Sequence, residues 1–187
     1  SYSIINRFRI SSIEPNLLTS KIIELIKNSN SFLPHFHIPL QSGSDKILSL
    51  MKRKYNTKIY KNKINLIKKK IPNACIGADV IVGFPNETHD NFLQTYNFIK
   101  ELDINYLHVF SYSRRENTIA SKMNNQVSKK EKFKRSKMLQ TLSSEIRFKF
   151  YKKNINKIKK VLFESVFNYD YVVGFSDNYI RVFVKGD

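Results

Sequence analysis

Polar side chains that could bind a ligand lie at the end of one apolar run in this sequence and inside another. Gln41 and Ser42 directly follow residues 35–40, and Asp79 lies within Cys75–Val82. An amide can bind sugar hydroxyls or stabilise its own loop, and a buried carboxylate can bind a ligand hydroxyl or form a salt bridge. Because ligands of α/β proteins bind where parallel strands end, the sequence predicts a binding site at these positions.

Arg53 and a turn containing glycine could complete such a site. Arg53 follows Gln41 by twelve positions on the next predicted helix, where it could reach an anionic group or remain exposed among lysines. Gly83 and Pro85 follow the second run. Glycine there permits a positive φ or a close approach to a ligand, although an ordinary turn also favours glycine.

The histidines and the cysteine are weaker signals. His35 and His37 alternate along one predicted strand and could share a metal, but no third ligand lies close in the sequence, and satisfied core histidines are the alternative. We therefore predict no metal site. Cys75 is the only cysteine, which excludes an internal disulfide and a cysteine-ligated metal site from this chain alone. We interpret it as a small buried hydrophobe.

These candidate residues must be positioned by alternating strands and helices. Strands are expected at residues 7–12, 35–40, 75–82 and 106–112. Helical patterns lie between them, with expected N-caps at Thr19, Ser44, Thr57 and Thr88. This order predicts an α/β fold with a parallel sheet or part of a barrel.

The pattern changes after Ser113. Residues 114–126 are expected to form a loop, and Ser128 with Glu131 matches a capping box at the start of a long basic helix. Its apolar stripe is expected to pack against the preceding domain and consists of Met138, Leu139, Leu142 and Ile146. Short strands with polar turns follow from residue 157, as in a small antiparallel β-domain that is cut short.

Composition limits the class of protein. A chain of 187 residues with 41% hydrophobic residues can bury one core, and no apolar run reaches the roughly 20 residues that span a bilayer. We expect a cytoplasmic protein with no membrane partner. Because the chain begins at Ser1 in what resembles the middle of a fold, we expect a segment of a longer protein.

The net charge of +18 predicts attraction to a polyanion, most often nucleic acid. Abundant lysine throughout the chain could instead reflect a biased genome. Clustering favours a nucleic-acid partner, and the clustered residues are Lys129, Lys130, Lys132, Lys134, Arg135, Lys137, Lys152, Lys153, Lys157, Lys159 and Lys160.

Four ordered motifs resemble the radical S-adenosylmethionine (SAM) methylthiotransferases. They read RISSIEP, HFHIPLQSGSD followed by LMKRKY, ACIGADVIVGFPNET, and YLHVFSYS. The resemblance implies an α/β fold with a partial (β/α)6 radical SAM barrel, here its last four strands, followed by a truncated TRAM domain, a small antiparallel β-barrel that holds tRNA. The implied domains are the barrel part at 1–126, the basic connecting helix at 127–156 and the TRAM domain at 157–187.

The resemblance also implies roles for site residues. Gln41 and Asp79 are expected to bind the ribose hydroxyls of SAM, and Arg53 its methionyl carboxylate. The adenine is expected to lie on the turn of Gly83 and Pro85. The remaining residues expected at the cofactor are Ser42, and, without an assigned role, Ser12 and Glu14.

One position departs from the family's usual GFPGET motif. Asn86 replaces its second glycine. Asn tolerates a left-handed backbone better than most residues, so we expect the turn to survive.

The implied activity is methylthiolation of tRNA at C2 of N6-threonylcarbamoyladenosine, beside the anticodon. Isopentenyladenosine in tRNA and a ribosomal-protein aspartate are alternative substrates, and a non-catalytic RNA-binding segment is an alternative function. The implied cofactors are SAM and two 4Fe–4S clusters, with an electron donor as a further partner. This chain lacks the cluster cysteines, so we expect it to be inactive by itself.

Aromatic residues in the last strands could stack on RNA bases, although core positions are the alternative. They are Phe163, Phe167, Tyr169, Tyr171 and Tyr179.

Overall fold

A three-stranded parallel sheet lies at the centre of the computed structural model, which describes residues 7–167 and 170–186. Its strands are β1 (His35–His37), β2 (Cys75–Val82) and β3 (Tyr106–Ser111), in the order β1-β2-β3. The register places Asp79 beside His108 and Gly77 between His37 and Tyr106. Side chains of these partners therefore share one face of the sheet.

Helices connect the strands, as the sequence predicts. They are α1 (Ser20–Asn28), α2 (Asp45–Leu50), α3 (Thr57–Lys70), α4 (His89–Glu101), α5 (Ile119–Lys122) and α6 (Lys129–Lys152). The four-residue helix α5 lies within the segment expected to be a loop. The element order and the parallel pairing confirm an α/β fold.

The helix caps match the sequence at several positions. Thr19, Thr88 and Ser128 accept backbone hydrogen bonds at their N-termini, as expected. The expected cap at Thr57 is wrong, because the Asn56 side chain accepts the hydrogen bond from the next turn and Thr57 is the first helical residue. Ser44 occupies the cap position of α2, but its hydroxyl donates to Gln94 instead.

The two faces of the parallel sheet differ in chemistry. One face packs against the helices and is buried, with Phe36, Ile76, Ala78 and Val80 in the core. The expected stripe on α6 is confirmed, since Leu139 and Leu142 are core residues and Met138 and Ile146 pack against the core. The opposite face carries polar side chains. We call the apolar face, which the helices cover, the outer face of the sheet, and we call the polar face the inner face.

The prediction of a strand at residues 7–12 is wrong. Among the described residues this segment forms one isolated parallel bridge, between Phe8 and Phe32, and Ile13 N donates to His37 O at 3.0 Å. The segment therefore pairs with residues 31–33, which precede β1, and the next residue, Ile13, makes a backbone hydrogen bond to the end of β1. Three strands rather than four form the described parallel sheet.

A second sheet of three antiparallel strands follows α6. It consists of β4 (Val161–Phe167), β5 (Tyr171–Ser176) and β6 (Arg181–Lys185), in that order. Tyr179, between β5 and β6, packs against Arg9, His35 and Phe175, which joins this sheet to the first. Its ring is therefore not an exposed base-stacking surface. Tyr169 lies outside the described residues.

None of the helices in the described part of the chain is both long enough and apolar enough to cross a membrane.

Candidate functional site

A cavity of about 700 Å³ opens at the carboxyl edge of the parallel sheet. Gln41, Arg53 and Asp79 all line it, although they belong to three separate segments. We call it the carboxyl-edge cavity. Its walls are largely apolar or aromatic and include Leu50, Met51, Ile81, Phe84, Phe110, Tyr112, Ile119 and Met123. The three side chains that the sequence suggested as ligand-binding residues therefore converge on one cavity.

Gln41 adopts an unusual backbone conformation at this edge. Its φ is 66°, in the left-handed region that a residue with a side chain rarely adopts. The backbone is held there because Gln41 N donates to Asp79 O at 2.8 Å and Gln41 O accepts from Ile81 N at 2.9 Å. Local strain of this kind is concentrated at ligand sites.

Three buried polar atoms of this cavity lack partners within residues 7–167 and 170–186. They are Gln41 Oε1, Arg53 Nε and the Tyr112 hydroxyl. Buried polar groups are almost always hydrogen-bonded, so these atoms indicate where a polar ligand would bind. An amide, a guanidinium and a hydroxyl together match a ligand with hydroxyls and a carboxylate.

Glu14 holds Arg53 in place. Arg53 Nη1 donates to Glu14 Oε1 at 3.1 Å, and both side chains are about one-third exposed. The pair leaves Arg53 Nε unused. Glu14, for which the sequence suggested no role, thus orients the guanidinium.

Asp79 is flanked by two histidines on the polar inner face. Asp79 Oδ1 lies 2.9 Å from His37 Nε2 and 3.3 Å from His108 Nδ1. These three groups lie within 4.8 Å of one another, a spacing that could also hold a metal ion. The third group that was missing beside His37 in the sequence is therefore His108, from β3.

The Tyr106 hydroxyl contacts His37 and a further histidine of β1, His35. It lies 2.9 Å from His35 Nε2 and 3.4 Å from His37 Nδ1. Gly77 makes this approach possible, because a Cβ there would overlap the Tyr106 ring. Burial, with Arg9 nearby, lowers the pKa of His35 to about 3, so its ring is neutral at neutral pH.

The turn after β2 has the backbone that the sequence predicts. Gly83 has a φ of 73°, and Asn86 has a φ of 67°, which confirms the left-handed conformation expected of Asn86. The Glu87 carboxylate accepts a hydrogen bond from Gly83 N. Arg135 of α6 donates to Glu87 O at 3.0 Å, and its Nη1 lies 3.4 Å from Glu87 Oε2. The hydrogen bond and the ion pair of Arg135 thus hold helix α6 against this turn.

Several expected site residues lie elsewhere. The Ser42 hydroxyl is buried and contacts Thr95 Oγ1 at 3.1 Å, so it holds the loop and does not line the carboxyl-edge cavity. Gly83 and Pro85 are buried and do not line the cavity, whereas Phe84 of the same turn does. Ser12 lines a second cavity instead.

This second cavity, of about 610 Å³, covers the polar inner face, and we call it the inner cavity. Asp79 lines both cavities. The other side chains that line the inner cavity include aromatic residues such as Tyr106 and Phe150, together with histidines and arginines, which are His35, His37, His108, Arg9, Arg147 and Arg181.

Sequence reasoning missed Tyr112, Phe84 and His108. Tyr112 and Phe84 are in edge-to-face contact, with ring centroids 5.3 Å apart. The motifs that contain them were visible, but nothing in the local pattern distinguishes these aromatics from core residues. His108 could have been found only from the register between β2 and β3.

Comparisons with known proteins give a consistent family. The model of the radical SAM superfamily matches residues 3–99. Threonylcarbamoyladenosine tRNA methylthiotransferase MtaB from Bacillus subtilis is 39% identical over 97% of this chain and 41% of its own length. The tRNA-2-methylthio-N(6)-dimethylallyladenosine synthase of the same organism is 36% identical over 97% of this chain and 36% of its own length. The chain therefore spans about two fifths of these relatives.

Solved structures share the fold at low sequence identity. Coproporphyrinogen III oxidase from Escherichia coli, described as a radical SAM enzyme, has a TM-score of 0.62 and 16% identity, covering 75% of this chain and 32% of that chain. Elp3 from Methanocaldococcus infernus has a TM-score of 0.55 and 12% identity, covering 91% of this chain and 52% of that chain.

Proposed function

The chain belongs to the radical SAM superfamily, and on that premise we propose that it is part of a tRNA methylthiotransferase that binds SAM in the carboxyl-edge cavity. The observation that carries this proposal is the convergence of Gln41, Arg53 and Asp79 on one cavity of about 700 Å³. Gln41 Oε1 and Arg53 Nε are buried there and have no hydrogen-bond partner among the described residues. The two Bacillus subtilis relatives support the reaction class, since both are named for methylthiolation of tRNA.

Each residue would take a separate part of the cofactor. We assign the two ribose hydroxyls to Gln41 Oε1 and the Asp79 carboxylate, which are both acceptors for hydroxyl donors. Arg53 would hold the methionyl carboxylate, oriented by Glu14. Phe84 and Ile81 offer an apolar surface to the adenine, which replaces the direct contacts expected from Gly83 and Pro85.

When bound beside a reduced 4Fe–4S cluster, SAM supplies the one-electron chemistry that removes hydrogen from an unreactive carbon. The protein's part is to orient the cofactor and to exclude water with the apolar walls of the cavity. The single cysteine of this chain, Cys75, is buried. We therefore place the cluster ligands in the part of the relatives' length that this chain does not span, and expect the chain alone to bind the cofactor without turnover.

Helix α6 supports an RNA partner. Its first half carries exposed lysines at 129, 130, 134 and 137, while its acidic Glu131 is paired with Arg135. Phe133 stands among them and is 73% exposed. An aromatic ring surrounded by cations suits a single-stranded RNA segment, which offers bases for stacking and phosphates for ion pairing.

The small sheet β4–β6 is compatible with the truncated TRAM domain that we propose here. Phe163 and Tyr171 are about half exposed on it. They remain the better candidates for base stacking, because Tyr179 is packed against the first sheet.

We propose N6-threonylcarbamoyladenosine as the base that is modified, at its C2, because the relative named for it has the higher identity of the two. Mass spectrometry of tRNA nucleosides from a strain lacking the gene tests this assignment. Loss of the 2-methylthio form of threonylcarbamoyladenosine supports it, whereas loss of the 2-methylthio dimethylallyl form assigns the alternative substrate. Unchanged tRNA nucleosides would refute the tRNA function.

Cofactor binding is tested separately by calorimetry with S-adenosylhomocysteine. We expect Arg53→Met to weaken binding by about tenfold or more, since a charged hydrogen bond is lost. The exposed neighbour Lys54→Met is the matched control. Equal affinities of the two variants would contradict the assignment of Arg53.

A further inference from the structure

Two histidines of the inner face contact the residue to which we assign a ribose hydroxyl. His37 lies on β1 and His108 on β3, so they approach Asp79 of β2 from the two neighbouring strands. Both contacts are made to the same oxygen, Oδ1, at 2.9 Å and 3.3 Å. They therefore leave Oδ2 for a ligand.

The position of Asp79 makes this arrangement useful for ligand binding. The carboxylate lines both the inner cavity and the carboxyl-edge cavity. An aspartate side chain can rotate about two bonds, so contacts that fix one carboxylate oxygen limit the direction in which the other can point. Contacts that fix Oδ1 on the inner side would direct Oδ2 towards the carboxyl-edge cavity.

The histidines are themselves held in place. The Tyr106 hydroxyl lies 3.4 Å from His37 Nδ1, which leaves Nε2 of that ring for Asp79. His108 stands in ring contact with both His37 and Tyr106, at centroid distances of 5.1 Å and 5.2 Å. A ring fixed by its second nitrogen and by stacking presents its first nitrogen in one direction.

We propose that His37 and His108 are positioning residues that hold Asp79 for a hydrogen bond from a ribose hydroxyl of the bound nucleoside. This inference rests on the proposed function, because it requires SAM in the carboxyl-edge cavity. Neither histidine touches the cofactor. Their effect is transmitted through the orientation of one carboxylate.

The test compares ligands that differ only in the hydroxyl. Calorimetry on the full chain measures the affinity for S-adenosylhomocysteine and for its 2′-deoxy and 3′-deoxy forms. We expect wild-type protein to bind both deoxy ligands more weakly, with the larger loss, about tenfold, for the ligand that lacks the hydroxyl bound by the charged Asp79. In His108→Ala and His37→Ala this penalty should shrink to about threefold or less.

Conservative variants separate positioning from folding. Asn at 108 and Gln at 37 place an amide nitrogen near the position of His Nδ1 and Nε2, respectively, so His108→Asn and His37→Gln should restore the hydroxyl penalty. His108 is well suited to the test because its side chain is 52% exposed and its loss leaves no buried cavity. A purely structural role would weaken all three ligands equally in the alanine variants.

The measurements can distinguish failure of this inference about the histidines from failure of the proposed SAM site. A full tenfold penalty in both alanine variants overturns the inference. An absent penalty in wild-type protein also overturns it, and Arg53→Met then decides the wider question. If Arg53→Met still weakens binding, only the inference fails, and if it does not, the cofactor assignment fails as well.

Discussion

Removal of the Arg135 guanidinium should be among the most damaging single changes to this fold. The Arg135 and Glu87 side chains are only 5% and 3% exposed, and their charges lie 3.4 Å apart. Arg135→Met keeps most of the side-chain volume but leaves the Glu87 carboxylate buried without its cation. Breaking a buried pair by removing one partner costs about 3–5 kcal/mol. We expect the free energy of unfolding to fall by that amount.

The loss should depend on pH in a defined direction. Burial raises the pKa of Glu87 above its ordinary value, and Arg135 opposes this rise. A carboxyl group whose pKa is higher in the folded protein takes up protons on folding, so stability falls as pH rises from the unfolded to the folded pKa. Without Arg135 the folded pKa rises further and this window widens. Arg135→Met should therefore lose more stability at about pH 8 than at about pH 5.

Urea denaturation at both pH values measures these losses. Lys134→Met is the matched control, because Lys134 is the exposed neighbour on the same helix. The double variant Arg135→Met, Glu87→Gln should recover part of the loss, since a neutral amide costs less to bury than a carboxylate. A loss below about 1 kcal/mol, or a double variant no more stable than Arg135→Met, would refute the reasoning.

Three further changes test single features of the fold. Asn86→Ala should be about 1 kcal/mol less stable than Asn86→Gly in urea denaturation, because the φ of 67° penalises a Cβ, and equal stability would contradict this. Burial raises the pKa of Cys75 to about 12, so iodoacetamide should label it slowly in the folded protein and rapidly in denaturant, as followed by mass spectrometry. Gly77→Ala should lower the melting temperature because the new methyl overlaps the Tyr106 ring, whereas Gly186→Ala, with its nearest contact at 3.7 Å, should not.

Local sequence patterns predicted the elements that depend on local interactions. The caps at Thr19, Thr88 and Ser128 and the apolar stripe of α6 follow from spacing alone, and the structure confirms them. The strand expected at residues 7–12 was wrong because pairing at a sheet edge depends on the neighbouring segment. An alternating pattern cannot show that this segment would be joined to its neighbour only near Phe8 and Ile13.

In the candidate site, too, some features could be predicted from the sequence and others depend on contacts between distant segments. The convergence of Gln41, Arg53 and Asp79 was predicted, because motif order and β–α topology bring loop positions to one edge of a sheet. The contacts made by Glu14 and His108 were not predicted. Each joins segments far apart in the chain, and which residue meets which is decided by strand register and side-chain direction rather than by local spacing.

Helix α6 connects the two parts of the proposed function. Arg135 is fastened to Glu87, and Lys132 Nζ donates to Tyr112 O at 2.9 Å, so one side of the helix fixes the turn and the aromatic wall of the carboxyl-edge cavity. Lys130 and Lys134 on the same turns are exposed. One rigid helix thus carries both the cations offered to a polyanion and the anchors of the cavity. An RNA bound to its outer side would lie at a fixed distance from the proposed SAM site.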